Sequence, residues 1–429
     1  MTKEDTGFDL HKFAKKIWKF PRSISGNGTR QTLNEIKLHL PNLTIQEVKS
    51  GSKVFDWEVP SEWEVKDAYI ITPEGHKICD FQTNNLHLVG YSKPIECEMS
   101  FSELKERLHF LIELPNAIPY VTSYYNRDWG FCLSYDQFLT LNEGIYKVVI
   151  KSRHFKGSIS YGELIIQGKS KKEILLSTNI CHPMMANNEL SGICISTFLA
   201  KWLKDRKNRY TYRILFLPET IGSIAYLSKH LKTLKKNVLA GYVLACIGDE
   251  RTYSYLQSRA GNTLSDLVAK HVLSWIYPNY KKYSWKWAER GSDERQFCAP
   301  GIDLPIASIM RSKYAEYPEY HTSLDDLETL VTPKGLSESL ELMKKVMNAI
   351  EKFCYPKALI KCEPQLGKRG LYPNLSKGDA GEKVSLMMDL ISMSDGNQSI
   401  IEIADHCNVP IWELMEIAEN LAKQKIIKL

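Results

Sequence analysis

The chain has 429 residues, 43% apolar and 25% charged, with a formal charge of +6. That is room for two or three domains of ordinary globular composition, and so mild a positive charge does not by itself point to nucleic acid. Ten cysteines without CxxC spacing argue against a zinc ribbon or a redox dithiol, and they read as reduced thiols in a cytoplasmic protein. No apolar run approaches the roughly 20 residues of a membrane span. The acidic start, Met1-Thr2-Lys3-Glu4-Asp5, is not a secretory signal.

Asp9–Ile45 reads as two helical pieces broken at Pro21–Gly28, the second over Thr29–Leu40. Val54–Val59 alternates apolar and acidic residues, as a half-buried strand does. Turn signals then recur, and Lys49–Asn142 reads as a β-rich insertion within a larger domain covering residues 1–48 and 143–355. His76, His87 and His109 lie in the insertion without ligand spacing and read as surface or packing residues. Ile145–Ile150 and Leu164–Ile166 are strands leading to Lys171–Asp205, the organising stretch. There a buried strand at Ile174–Leu176 runs into Cys181-His182-Pro183 and the polar Asn187-Asn188-Glu189, and a helix opens at Ser191-Gly192. Strands at Thr211–Leu217, Val238–Ile247 and Leu304–Met310 follow, alternating with helices at Ile224–Leu234, Thr263–Trp275 and Lys334–Phe353. Such alternation predicts a mostly parallel sheet covered on both faces. Residues 356–373 form a Pro/Gly/Lys linker, and Glu382–Leu429 has the helix–turn–helix and final strand of a winged helix.

Ligands bind beyond the carboxyl ends of strands in such sheets. Those ends carry His182 with Asn188 and Glu189, then Glu219, Asp249 and His321. Imidazole and carboxylate groups converging from separate strands are what zinc requires. A spare carboxylate could then deprotonate a water made acidic by the metal. Each residue alone has a plainer reading: Glu219 as a helix-terminal acid, Asp249 as a partner of Arg251 or Arg259, His321 as a loop histidine.

His182, the loop Asn187–Gly192, Glu219 before Gly222-Ser223, and Tyr320-His321-Thr322 resemble the landmarks of co-catalytic zinc aminopeptidases. The whole chain more closely resembles a bacterial aminopeptidase-like family linked to polysaccharide biosynthesis clusters. Ser50–Trp57, Ile118–Tyr125, Arg290–Arg295 and Gln365–Pro373 carry that likeness. The resemblance implies a three-layer αβα domain with a mostly parallel mixed sheet, an inserted β-rich domain and a carboxyl-terminal winged helix. It also implies roles: His182 and His321 as metal ligands, Asn188 at the bridging aspartate's place, Glu219 as general base, and Asp249 as a further ligand.

Two departures bear on the metal. Asn188 is neutral, and Thr220 stands where the peptidases have a second glutamate. Less negative charge offsets fewer cations. One zinc is therefore expected, held by His182, His321 and one or two of Glu189, Glu219 and Asp249. Arg311, Tyr317 and Tyr320 are candidates to grip a carboxylate or sugar hydroxyls, and Asp293 and Arg295 to orient the ligands.

The expected activity is hydrolysis of an amide in a peptide or amino-sugar conjugate. Pro356–Leu429 carries 9 Lys/Arg and 10 Asp/Glu, whereas DNA readers need a basic footprint. Protein docking is thus expected of the tail, with no membrane role, and homo-oligomers are left open. Rival readings are a non-catalytic scaffold with a degenerate site, or a winged-helix regulator sensing a metabolite.

Overall fold

The computed structural model describes residues 3–371 and 379–429. Tyr372 and Pro373, the end of the Gln365–Pro373 segment, lie outside the described residues. The chain divides into two compact units, one of residues 1–265 and 281–341, the other of residues 266–280 and 342–429.

An eight-stranded sheet organises the first unit. Its order is Thr44–Lys49, Ser158–Ile166, Tyr210–Leu217, Ser170–Asn179, Val238–Val243, Ile306–Met310, Ser254–Leu256, Lys281–Tyr283. The pairings from Tyr210–Leu217 through Ile306–Met310 are parallel, while Thr44–Lys49, Ser158–Ile166 and Ser254–Leu256 run antiparallel to their inner neighbours. Every residue of Tyr210–Leu217 and Ile306–Met310 is buried, the mark of strands covered on both faces. The sheet grows first from Ser170–Asn179 to Tyr210–Leu217. It then reverses and adds Val238–Val243 on the other side. That reversal is a topological switch point, and it opens a crevice at the carboxyl end of Ser170–Asn179.

Residues in the insertion build a four-stranded antiparallel sheet in the order Lys77–Ile78, Glu62–Ile71, Ile145–Phe155, Ile95–Ser100. It reaches past residue 142 because Ile145–Phe155 pairs on both of its edges. Val54–Val59 is not one strand. Lys53–Val54 and Trp57–Glu58 pair as a hairpin about Phe55-Asp56, and Phe55 takes a φ of 54°. Alternation cannot distinguish a strand from a two-residue turn between two short ones.

The second unit takes in most of the helix Leu264–Ile276, from residue 266, besides the tail helices Asp379–Met393, Ile400–His406 and Ile411–Lys423. His271 explains the inclusion. Its Nδ1 donates to Asp405 Oδ1 (2.6 Å), and its Nε2 accepts from the backbone N–H of Ile411 (2.9 Å). One imidazole thus ties three helices together.

Candidate metal centre

The strand Ser170–Asn179 delivers the first group. A wide helical turn, Ala186–Leu190, precedes the helix Ser191–Lys204 and turns Asn187, Asn188 and Glu189 inward, all buried. Gly192 sets the depth of that helix. A Cβ there would lie 2.2 Å from Leu244 O and 2.4 Å from Thr178 Oγ1, so only glycine allows the approach.

Glu189 orients His182. Its Oε2 accepts from His182 Nδ1 (2.8 Å) and from the backbone N–H groups of Cys181 (2.7 Å) and His182. Its Oε1 accepts from Arg22 Nε at 3.0 Å, and both side chains of that pair are fully buried. Arg22 also donates to the carbonyls of Ile17 and His182. Cys181, His182 and Glu189 place ligand atoms within 4.8 Å of one another, yet Glu189 already receives four hydrogen bonds. It acts as an orienting carboxylate, fixing His182 so that Nε2 faces the crevice.

Across that space lies Glu219, its Oε2 3.6 Å from His182 Nε2. Asn179 Nδ2 donates to Glu219 Oε1 (2.6 Å) and to Ser292 Oγ (3.0 Å). One carboxylate oxygen is anchored, and the other faces the imidazole. Burial raises the Glu219 pKa, with His182 opposing. Burial works against charge on His182, but contacts to Cys181 and Glu189 outweigh it.

His321 completes the cluster. Its ring centroid is 5.5 Å from that of His182, and its Nε2 accepts from Asn188 Nδ2 at 3.3 Å. Burial, aided by His182, lowers its pKa to about 3, so the ring is neutral and keeps a lone pair. Tyr320 stacks on it with centroids 3.9 Å apart. Tyr120 lies against both histidines, 5.3 Å from His182 and 5.1 Å from His321.

His182 and His321 offer a zinc ion imidazole donors at this edge, while Cys181, His182 and Glu189 are the group of three among the described residues whose ligand atoms all lie within 4.8 Å of one another. Glu219 Oε2 stands 3.6 Å from His182 Nε2, at the edge of the same space. The His321 ring is neutral, His182 gives up its favoured proton on binding a cation, and its orientation by Glu189 is the arrangement that metal sites favour.

Other residues singled out in the sequence have partners of their own. Asp249 Oδ2 accepts from Asn187 Nδ2 (2.8 Å) and Ser312 N (3.1 Å), and its Oδ1 from Arg251 N (2.7 Å). It sits six positions beyond a strand that ends at Val243 rather than Ile247. Arg311 donates to Arg251 O (2.9 Å) and Glu338 Oε2 (2.6 Å) and packs over Tyr253. Tyr317 donates to Asp325 Oδ2 (3.0 Å). Asp293 Oδ1 accepts from Thr220 N and Ser223 Oγ, both at 2.8 Å, while burial and Glu219 raise its pKa to about 8. Arg295 donates to Arg290 O and lies over Trp287.

Sequence reasoning missed Arg22, Asn179, Tyr120 and Asp325. Asp325 accepts from the backbone of Asn187 and Asn188, and burial raises its pKa to about 7. Its only sequence signal is its place four residues after His321. Met184, Thr220, Cys246 and His321 all take positive φ, between 45° and 62°. Left-handed non-glycine residues in loops around one crevice are strain of the kind found at functional sites.

A mixed sheet with this cluster at its carboxyl edge is an aminopeptidase-type fold. Solved structures agree on that fold: a Bacillus subtilis zinc aminopeptidase shares it at 11% identity (TM-score 0.58, 81% of this chain and 95% of that one). A Peptidase M28 precursor from Shewanella amazonensis does so at 12% identity (TM-score 0.54, 85% and 99%). Residues 11–353 match the model of a family described as a domain of unknown function, DUF4910, and the chain belongs to that family. Residues 354–429 match a winged helix-turn-helix model. A Clostridium acetobutylicum protein named "Putative polysaccharide biosynthesis protein with aminopeptidase-like domain" is 42% identical over 99% of this chain and 97% of its own length. A crystal structure of a "putative peptidase" from the same organism matches with 41% identity and a TM-score of 0.93, covering 100% of this chain and 97% of that one.

Proposed function

We propose that the protein is a hydrolase with one zinc ion, cleaving an amide in a peptide or amino-sugar conjugate. The observation that carries this is that His182, His321 and Glu219 lie at one crevice, with His182 oriented by Glu189. His182 and His321 would hold the ion, with Asn188 at its side and Glu219 left free to act as the base. Bound zinc supplies a Lewis acid and lowers the pKa of water.

The chain's own groups do the rest. Glu219 Oε2 takes a proton from the attacking water and returns it to the leaving amine, and burial of the carboxyl suits it to hold that proton. Asn179 keeps Glu219 Oε1 fixed throughout. Tyr120 and Tyr320 wall the crevice beside the histidines. The name of the 42%-identical relative supports a role in polysaccharide biosynthesis. The winged helix serves protein docking, in line with its 9 basic and 10 acidic residues. No helix among the described residues is long and apolar enough to cross a membrane.

The test is elemental analysis of gently purified protein beside His182→Ala and His321→Ala, with amide hydrolysis of aminoacyl and N-acyl-amino-sugar substrates followed in parallel. Wild type should hold about one equivalent of zinc and turn over, and both variants should lose metal and activity. Metal-free wild type that also fails to hydrolyse when zinc is supplied would sink the proposal. Full metal loading with no turnover would favour the scaffold reading, which Asn188 and Thr220 already invite.

A further inference from the structure

A second concavity, a cleft of about 460 Å³, lies on the insertion side of the same unit. Its lining combines Tyr91, Tyr124 and Tyr125 with Arg127, His154 and Lys156. Arg127 and Lys156 are exposed and make no ion pair or hydrogen bond among the described residues. The one carboxylate on the lining, Glu58, is also exposed. His154 is kept neutral by burial and by Arg127, and its Nε2 donates to Tyr91 O at 3.2 Å. The two long cations therefore set the sign of the cleft.

The tyrosines are fixed in place. Tyr91 is stacked on Trp63 and shares a 2.6 Å hydrogen bond with Ser25 Oγ. Tyr125 donates to Glu58 O (3.1 Å) and meets Trp57 edge-on. Tyr124 is held at a φ of 37°, a conformation a bulky residue adopts only when its surroundings require it. That backbone places its hydroxyl 3.0 Å from the hydroxyl of Tyr120, and Tyr120 touches both site histidines. One tyrosine pair thus links the cleft to the candidate metal centre.

Tyr91 is 1% exposed and only backs the wall, while the half-exposed ring of Tyr125, beside Tyr124, offers the kind of rigid aromatic surface that suits the apolar face of a sugar ring. Unpaired Arg and Lys at the same wall suit an anion, which Arg can hold through two donors. We propose that this cleft is a substrate subsite for an acidic sugar, its ring against Tyr125 beside Tyr124 and its carboxylate or phosphate on Arg127 and Lys156. The substrate of the hydrolase proposed above is then an anionic glycoconjugate with its amide at the histidines, and the assignment rests on that reading only for its catalytic meaning.

Calorimetric titration of the zinc-free full chain with glucuronic acid, glucose 6-phosphate and glucose tests it. At least one acidic sugar should bind roughly tenfold or more tighter than glucose. Whichever acid binds tighter identifies the anion as carboxylate or phosphate. In the double variant Arg127→Ala/Lys156→Ala that preference should vanish, while Tyr125→Ala should weaken all binding. Arg127 and Lys156 are exposed, so thermal unfolding of the double variant should match wild type. Equal affinity for glucose and the acids, absence of binding to all three sugars, or an unaltered preference in the double variant would overturn the proposal. Because no metal takes part, loss of the hydrolase reading leaves this result intact. Failure of the cleft, in turn, leaves the metal analysis standing.

Discussion

Glu189 shows how one side chain sets the chemistry of another without facing the crevice itself. It spends both oxygens on Arg22, the His182 ring and two backbone N–H groups. Arg22 is fully buried, and burial lowers its pKa against the pull of Glu189. Removing one charge of such a pair leaves the other stranded, which costs about 3–5 kcal/mol. Glu189→Gln should lower unfolding free energy by that order in urea titrations, and should weaken zinc binding as His182 loses its anchor. Nothing near residue 22 or 189 in the sequence pairs them, since they are 167 positions apart. The sequence did place His182, Glu219 and His321 in loops after strands, because apolar runs flanked by polar turns are local signals. It gave Asp249 the same standing as those three, and its hydrogen bonds to Asn187 and Ser312 are visible only in three dimensions.

Among elements, the helix Ser191–Lys204 depends on contact at a single point. Gly192→Ala adds a Cβ 2.2 Å from Leu244 O. Alanine favours a helix over glycine by about 1 kcal/mol, but overpacking against backbone costs about 1–3 kcal/mol, so net destabilisation is expected in thermal melts. The insertion offers a test of pH. His87 is buried, its Nδ1 donates to Cys132 O at 2.8 Å, and burial lowers its pKa despite Asp80. The unfolded chain therefore takes the proton first, and stability present above about pH 6.5 is lost as pH falls through that value. The melting temperature should drop between neutral and mildly acidic pH, and drop less in His87→Gln. Most strands and helices were legible from periodicity. The Val54–Val59 hairpin was not, because its two halves share one alternating pattern.

For the molecule as a whole, the switch point beside Ser170–Asn179 decides where a ligand can sit. A zinc ion bound there only in the folded state stabilises it by mass action, by about 2.7 kcal/mol at a hundred times Kd. Added zinc should raise the melting temperature of wild type, chelator should reverse the gain, and His182→Ala should show neither effect. Alternating strands and helices and the helix–turn–helix tail follow from patterns only a few residues long. Family membership could be read from motifs spread over nearly the full length. The tertiary structure decided which polar residues share a space. Asp325 grips the backbone of Asn188 from 137 positions away, and Tyr120 N donates to His321 O (2.8 Å) from the insertion. Local periodicity carries no information about such pairings, because they exist only once the sheet has set its strand order and brought its loops to one edge.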